Sequence, residues 1–235
     1  MDNLPITEFG DFRVIRGDMV KGGVKTPALL RYLPKLNHSH IAYVGSVYGS
    51  GAWAVAEACA LLNLKCSLFI AKGDYTPPWL PKLKETGAIL YWYESLPVEA
   101  IHHRITEDYP DLYNLPLGFD TPDFIEDMAA ILRDSIPVTP SPPPEIWVPT
   151  VSGVLARSAC LAFPDTAIHA VCAAKNYGDI GHATVHIAPE KYHKPALKPP
   201  PYPACPFSDA KIWQFAEKRA ISSQVSGAYI LNVSS

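Results

Sequence analysis

The sequence predicts an α/β protein made of two three-layer, open-sheet subdomains. Three times along the chain, a short apolar run is followed by a turn of small residues and then by a helical pattern, which is the order of a βαβ unit. These turns lie at residues 21–27, 46–52 and 149–154. Open α/β sheets bind ligands at the carboxyl ends of their strands, so the three turns are the first places to search for a site.

The composition is that of a globular protein with an ample core. The chain has 235 residues, of which 48% are hydrophobic, and a net charge of −3. This charge gives no overall attraction to nucleic acid or to an anionic membrane. No apolar run is long enough to span a bilayer, and the first residues lack the pattern of a signal peptide, so we expect a cytoplasmic protein. The spacing of the five cysteines favours neither disulfides nor zinc.

In the first half of the chain, each element follows from the spacing of its apolar residues. Alternation predicts strands, a spacing of three and four predicts helices, and short apolar runs predict buried parallel strands. The predicted strands are residues 9–16, 41–44, 66–71 and 89–93, and the predicted helices are residues 28–36, 52–62 and 78–86.

The second half repeats the pattern after a passage at residues 113–119. Two proline clusters, at residues 137–144 and 195–206, forbid helix, and we expect them to be fixed loops. The predicted helices are residues 122–133, 154–162 and 209–219, and the predicted strands are residues 145–149, 167–173 and 228–232.

Lys25 is the candidate catalytic residue. It follows Gly22 and Gly23 closely, and paired glycines allow backbone conformations and close approaches that other residues do not. A lysine held at such a turn can lose its hydration, drop its pKa and form a Schiff base with a carbonyl group. From these residues alone, the alternative is an ordinary glycine turn with a solvated lysine.

In their order along the chain, the three turns resemble those of the fold type II enzymes that depend on pyridoxal 5'-phosphate (PLP), the cysteine synthase and tryptophan synthase β family. The run Gly22-Gly23-Val24-Lys25-Thr26 is similar to the lysine motif of the branch that contains aminocyclopropane-carboxylate (ACC) deaminase and D-cysteine desulfhydrase. Val24 departs from the asparagine of that motif. The chain is shorter than the usual member and looks like a compact, phage-like one.

The resemblance implies a tryptophan synthase β-like fold with PLP bound between two subdomains. Residues 41–115 would form the smaller subdomain, and residues 1–40 with 116–235 the larger one. Lys25 would hold the PLP aldehyde and then act as acid or base on the substrate carbon. The phosphate would bind at a helix N-terminus. The residues at that position are Thr150, Val151, Ser152, Gly153 and Val154.

That phosphate turn keeps few of the small residues of the family motif, and an ordinary helix cap is the alternative. Ser50 falls where the deaminase branch bonds the ring oxygen, and the substrate carboxylate would meet Tyr48, Gly49 and Ser50. For Tyr48 alone, packing against the wall of the site is the other interpretation.

Two further positions complete the implied site. Ser234, after the last strand, would face the pyridine nitrogen, and a neutral partner leaves that nitrogen unprotonated, which suits elimination or replacement at the β carbon. The alternative for Ser234 is a frayed terminus. We expect the second proline-rich loop and the residues that follow it, including Tyr202, Phe207 and Asp209, to line the substrate cleft, unless they only pack against the last helix. The histidines show no metal-ligand spacing, so no metal is expected.

The function that the resemblance implies is a PLP-dependent lyase that forms a Schiff base with the amine of an amino acid. Elimination, replacement, deamination and decarboxylation all remain open. One alternative is a phage DNA-hypermodification enzyme that decarboxylates an amino acid attached to thymine, although the negative net charge of the chain opposes a DNA substrate. A second is an inactive relative that acts as a binding protein. A plain nucleotide-binding protein is less favoured, because no complete phosphate-loop motif is present.

The partners follow from these alternatives. We expect a small amino-acid substrate, or an amino-acid-modified nucleotide in DNA, and no membrane. Members of the resembled family are commonly dimers, so a homodimer is expected. The location would be the cytoplasm, or the host cytoplasm if the protein is encoded by a phage.

Overall fold

The computed structural model describes residues 3–138, 141–173, 178–223 and 226–235. Within these ranges the strands form two sheets, one of six strands and one of four. The strands are β1 (Ile6–Phe9), β2 (Phe12–Arg16), β3 (His40–Ser46), β4 (Lys65–Ala71), β5 (Ile89–Tyr93), β6 (Tyr113–Asn114), β7 (Glu145–Thr150), β8 (Ala167–Cys172), β9 (Thr184–Ile187) and β10 (Ala228–Asn232). The α-helices are α1 (Lys25–Tyr32), α2 (Gly51–Leu61), α3 (Leu83–Thr86), α4 (Val98–Asp108), α5 (Pro122–Ser135), α6 (Val154–Ala162) and α7 (Trp213–Ser223).

The larger sheet has the strand order β1-β2-β10-β7-β8-β9. The first pair is antiparallel and every other pair is parallel. The smaller sheet has the order β5-β4-β3-β6, and all its pairs are parallel. The two predicted open sheets are confirmed. In the described ranges, no helix is both long enough and apolar enough to cross a bilayer.

The main core joins the two sheets. It contains buried side chains of both sheets together with those of helices α1, α2, α5 and α6. Because side chains alternate across a strand, Leu231 of β10 faces this core, whereas its neighbour Ile230 faces a second core under α7. Strands buried on both faces read as continuous apolar runs, which is why most of them could be predicted.

The predicted single strand over residues 9–16 is wrong. The structure has a hairpin there, with β1 and β2 paired across a turn at Gly10, whose φ is 57°. Apolar residues stand on both sides of this turn, so the sequence alternation does not reveal the break. Helix α4 and the edge strand β9 were not predicted, and both carry polar residues that weaken their apolar patterns.

Helix α1 begins at Lys25, three residues earlier than predicted. Pro27 is tolerated there because the first turn of a helix has no internal partner for its N–H groups. The glycine loop before it is fastened to the end of the central strand β10, since the backbone N–H of Val24 donates to the carbonyl of Val233 at 3.0 Å. Gly23 has φ 85°, and a Cβ atom there would overlap the Val233 carbonyl oxygen.

We expect Gly23→Ala to lower the free energy of unfolding by roughly 2–5 kcal/mol, because the alanine is strained at positive φ and also collides with β10. Gly87→Ala is the matched control. Gly87 has φ 74°, but a Cβ atom there meets nothing within 4 Å, so only the backbone strain of about 1–2 kcal/mol applies. Urea unfolding of both variants measures the difference, and equal losses would show that the contact with β10 is unimportant.

Candidate active site

The side chain of Lys25 lies between the two sheets. The residue is partly buried, and its Nζ lies 5.4 Å from the centroid of the Phe119 ring. Burial lowers the pKa of the Lys25 ammonium, and the charge of Asp209 acts in the opposite direction. A lowered pKa increases the fraction of neutral amine near pH 7, and a neutral amine is the form that attacks a carbonyl carbon.

Asp209 is the carboxylate whose charge acts on Lys25; the sequence places it in the loop expected to line the cleft but does not predict this electrostatic role. Its carboxylate is 3% exposed, and its Oδ2 accepts hydrogen bonds from the backbone N–H groups of Val233 and Ser234, both at 3.0 Å. Burial raises the pKa of Asp209 to about 7, although these hydrogen bonds, the Ser208 hydroxyl and the charge of Lys25 pull it down. A titratable carboxyl group therefore acts on the charge of Lys25 and holds the end of β10.

The turn between β7 and α6 has the geometry of a helix N-terminus built around a glycine. Gly153 has φ 85° and its N–H donates to the Thr150 hydroxyl at 3.0 Å. Thr150, Gly153 and Val154 are buried, whereas Val151 is 42% exposed. The N–H groups of such a terminus point outward and suit an anion.

One short segment, residues 118–119, contacts both this turn and the side chain of Lys25. A Cβ atom on Gly118 would overlap the Ser152 side chain, and the next residue, Phe119, carries the ring below the Lys25 amine. The structure therefore brings the predicted phosphate turn and the predicted catalytic lysine to the two sides of residues 118–119.

A second group of predicted residues meets at a narrow cleft between the two sheets. Tyr48 and Ser50, after β3, and Ser234, after β10, line the same cavity, whose volume is about 10 Å³. Gly49 belongs to the same turn, and its N–H donates to the Ser46 carbonyl at 3.3 Å. The cavity holds at most about one water molecule, so a larger ligand needs this cleft to widen.

Tyr202 lies elsewhere. Its ring packs against Phe9, at 4.9 Å between centroids, and against Trp213, at 6.0 Å, in the core under α7. It is not among the residues that line the cleft. The physical reason is that apolar contact with β1 and α7 draws the ring to the far face of the larger sheet. This position corrects the expected substrate contact and agrees with the packing alternative.

Comparison with known proteins gives a likeness of fold. No family model matches the chain, and no curated protein sequence matches it. The crystal structure of an ACC deaminase homologue is similar, with a TM-score of 0.78 and 13% identity over 99% of this chain and 89% of that chain. Diaminopropionate ammonia lyase from Escherichia coli, in its apo form, gives 0.66 and 12% over 100% of this chain and 83% of that one.

A third similar structure is a PLP-dependent aspartate racemase, with a TM-score of 0.54 and 15% identity over 72% of this chain and 56% of that one. The identities are low, and the shared feature is the fold. This chain therefore has the fold of the fold type II PLP-dependent enzymes, as the order of its turns predicted.

We expect Asp209→Asn to change how stability depends on pH. The folded-state pKa of Asp209 is above its ordinary value, so the folded protein binds this proton more tightly than the unfolded chain does. Stability from this group is present at low pH and is lost as pH rises from about 4 to about 7, by roughly 2–4 kcal/mol. The asparagine variant should lack this decline, which urea unfolding across that range measures.

Asp11→Asn is the control for this comparison, because Asp11 is an exposed carboxylate in the β1–β2 turn. It should leave the wild-type pH dependence intact. The Asp209 variant should also lower the pKa of Lys25 further, since the charge that raises it is gone. Competitive acetylation with mass mapping of the Lys25 peptide detects that shift. An unchanged Lys25 titration would mean that the two groups do not interact.

Proposed function

We propose that this protein is a PLP-dependent enzyme of the lyase kind that acts on the α-amine of an amino acid. The observation that carries the proposal is the state of Lys25. Its amine is partly buried at the N-terminus of α1, beside the turn that begins α6, and its pKa is lowered by burial. A lysine whose pKa is lowered in this way is more readily available as the neutral amine that attacks an aldehyde.

The donor groups of the site fit the chemistry of PLP. An amine for the aldehyde is supplied by Lys25, and N–H groups for a phosphate dianion by the α6 terminus at residues 150–154. Ser50 and Ser234 both line the cleft and would face the ring oxygen and the ring nitrogen. When bound, PLP supplies an electron sink that stabilises negative charge on the substrate α-carbon.

The remaining roles belong to the residues of this chain. Lys25 would hold and return a proton at its Nζ, and the nearby Asp209 would set how readily the amine gives that proton up. The turn of Tyr48, Gly49 and Ser50 would bind the substrate carboxylate through N–H and hydroxyl groups. A neutral Ser234 beside the ring nitrogen favours elimination or replacement among the lyase reactions.

Two substrates are compatible with this chemistry: a free amino acid, and an amino acid attached to thymine in DNA. The net charge of −3 favours the free amino acid, because DNA binding depends on Lys and Arg contacts with phosphates. The proposal includes a homodimer, which sedimentation measurements test separately.

A second candidate function is that of a binding protein without catalysis. The specific observation in its favour is the cleft volume of about 10 Å³, which is too small for a pyridine ring unless the cleft widens. The two candidates differ in whether added PLP reacts with Lys25.

The test is a visible spectrum of the purified protein with added PLP, followed by borohydride reduction and mass mapping. We expect an absorbance band that reduction removes, and a reduced adduct on the peptide that contains Lys25. Lys25→Ala should abolish both. Because burial lowers the pKa of the Lys25 amine, Lys25 should react in preference to exposed lysines at neutral pH.

Lys21→Ala is the matched control, since Lys21 is an exposed lysine four residues earlier in the same loop. It should leave the band and the adduct unchanged. An adduct on another lysine would disprove the site assignment. A protein that stays colourless in excess PLP would instead favour the binding-protein candidate.

A further inference from the structure

The larger-sheet half of the molecule is the part built on the six-stranded sheet, and the smaller-sheet half is the part built on the four-stranded sheet. A segment that extends from the larger-sheet half closes the cleft between them. We call residues 190–207 the latch segment. It contains six prolines, which stiffen it because each fixes its own φ. They are Pro195, Pro199, Pro200, Pro201, Pro203 and Pro206.

The base of the latch segment is fixed to the helical end of the larger-sheet half. The Lys211 side chain is fully buried, and its Nζ donates to the Lys191 carbonyl at 3.0 Å. Glu190 is also buried, and its Oε1 accepts from the Leu197 N–H at 2.8 Å and from the Gln214 amide at 3.2 Å. Buried charged groups with specific partners hold a defined geometry, since breaking either contact leaves an unpaired group.

The other side of the latch segment touches the smaller-sheet half through aromatic rings. The Phe207 ring lies edge-on to Tyr48, at 4.9 Å between centroids, and edge-on to Tyr75, at 4.7 Å. The Tyr192 ring lies 5.9 Å from Tyr48, and its hydroxyl lies 3.5 Å from the Ser46 hydroxyl. Edge-to-face pairs at these separations stabilise a contact beyond the area that they bury.

These contacts close the cleft where a ligand would enter. Tyr48 and Tyr75 line the cavity together with Cys205 and Pro206 of the latch segment and Ser234 of the larger half. The Cys205 thiol donates to the Tyr48 carbonyl at 3.6 Å, and its backbone N–H donates to the Ser234 carbonyl at 2.9 Å. Cys205 is thus hydrogen-bonded to both halves of the molecule, through its thiol to Tyr48 and through its backbone to Ser234.

We propose that the latch segment gates the cleft, and that the contact of Phe207 and Tyr192 with Tyr48 and Tyr75 must open before a ligand can enter. Because its base is held by Lys211 and Glu190, the segment moves with the larger-sheet half. Opening therefore separates the aromatic rings and leaves the base intact. The identity of the entering ligand, PLP or its amino-acid substrate, rests on the proposed function, whereas the closure itself does not.

Cys205 provides a direct readout of this opening. Cys205 is partly exposed, but desolvation raises the pKa of its thiol to about 11, and its Sγ donates to the Tyr48 carbonyl. The closed protein should therefore react slowly with a thiol reagent such as 5,5'-dithiobis(2-nitrobenzoate). The other four cysteines, Cys59, Cys66, Cys160 and Cys172, are buried. Mass mapping assigns the labelled thiol.

We expect Phe207→Ala to speed the labelling of Cys205 by about tenfold or more, because loss of two edge-to-face pairs shifts the opening equilibrium. Tyr75→Leu acts from the opposite side of the cleft and should also increase the labelling rate. Because Tyr75 and Cys205 line the same cavity, the rate of PLP band formation, which does not depend on exposure of the thiol, distinguishes opening from local uncovering of Cys205. Leu197→Ala is the control, since Leu197 belongs to the latch segment but is 79% exposed. It should label at the wild-type rate.

If Phe207→Ala does not fold, Phe207→Leu keeps most of the volume and still removes the ring contacts. Rapid labelling of the wild-type protein, or equal rates for all variants, would overturn the latch. The rate at which added PLP produces its absorbance band is a second readout and should rise in the same variants. If PLP binds to none of the proteins, the proposed function is rejected. The labelling rates of Cys205 alone then test whether the latch segment gates the cleft.

Discussion

The contact between the glycine loop and the end of β10 is the constraint on which the site depends. Val24 is hydrogen-bonded to Val233, and Gly23 lies so close to the same carbonyl that no side chain fits. This contact fixes the start of α1, and hence Lys25, relative to β10 and to Ser234, which lies two residues beyond the end of that strand. Two segments more than two hundred residues apart in the chain thus become one rigid unit. Such a contact depends on backbone atoms, so it tolerates variation in the side chains around it.

Asp209 places a buried titratable carboxyl group in this unit, and its charge acts on Lys25. A buried carboxylate usually requires either a cation or several hydrogen-bond donors, and here it has the backbone N–H groups of Val233 and Ser234 as well as the charge of Lys25. Burial moves the pKa of the acid up and that of the base down, so the two values approach each other. Each group therefore influences the protonation of the other through its charge.

The sequence was sufficient to predict the fold, and the site roles assigned to residues that follow strands stay predictions. Lys25, Ser50 and Ser234 come directly after strand or glycine patterns, and parallel strands end at a common edge. Asp209 and Phe207 belong to a loop expected to line the cleft, but their individual roles could not be predicted, because these roles arise from burial by segments distant in sequence. Tyr202 is the opposite case. It belongs to the loop expected to line the cleft, but its ring packs against Phe9 and Trp213 on the other face of the larger sheet. A loop rich in proline has no side-chain period from which that direction could be predicted.

The position of β10 also affects the order in which the molecule can form. This strand lies between β2 and β7 in the larger sheet, yet it follows both of them in the chain. Until β10 has been synthesised, the β1–β2 hairpin cannot pair with the unit of β7, β8 and β9. The hairpin and that unit each then have an unpaired strand edge. Unpaired edges invite association with other chains. The smaller sheet has no such dependence, so it can fold during translation while the larger sheet and the lysine site await the last strand.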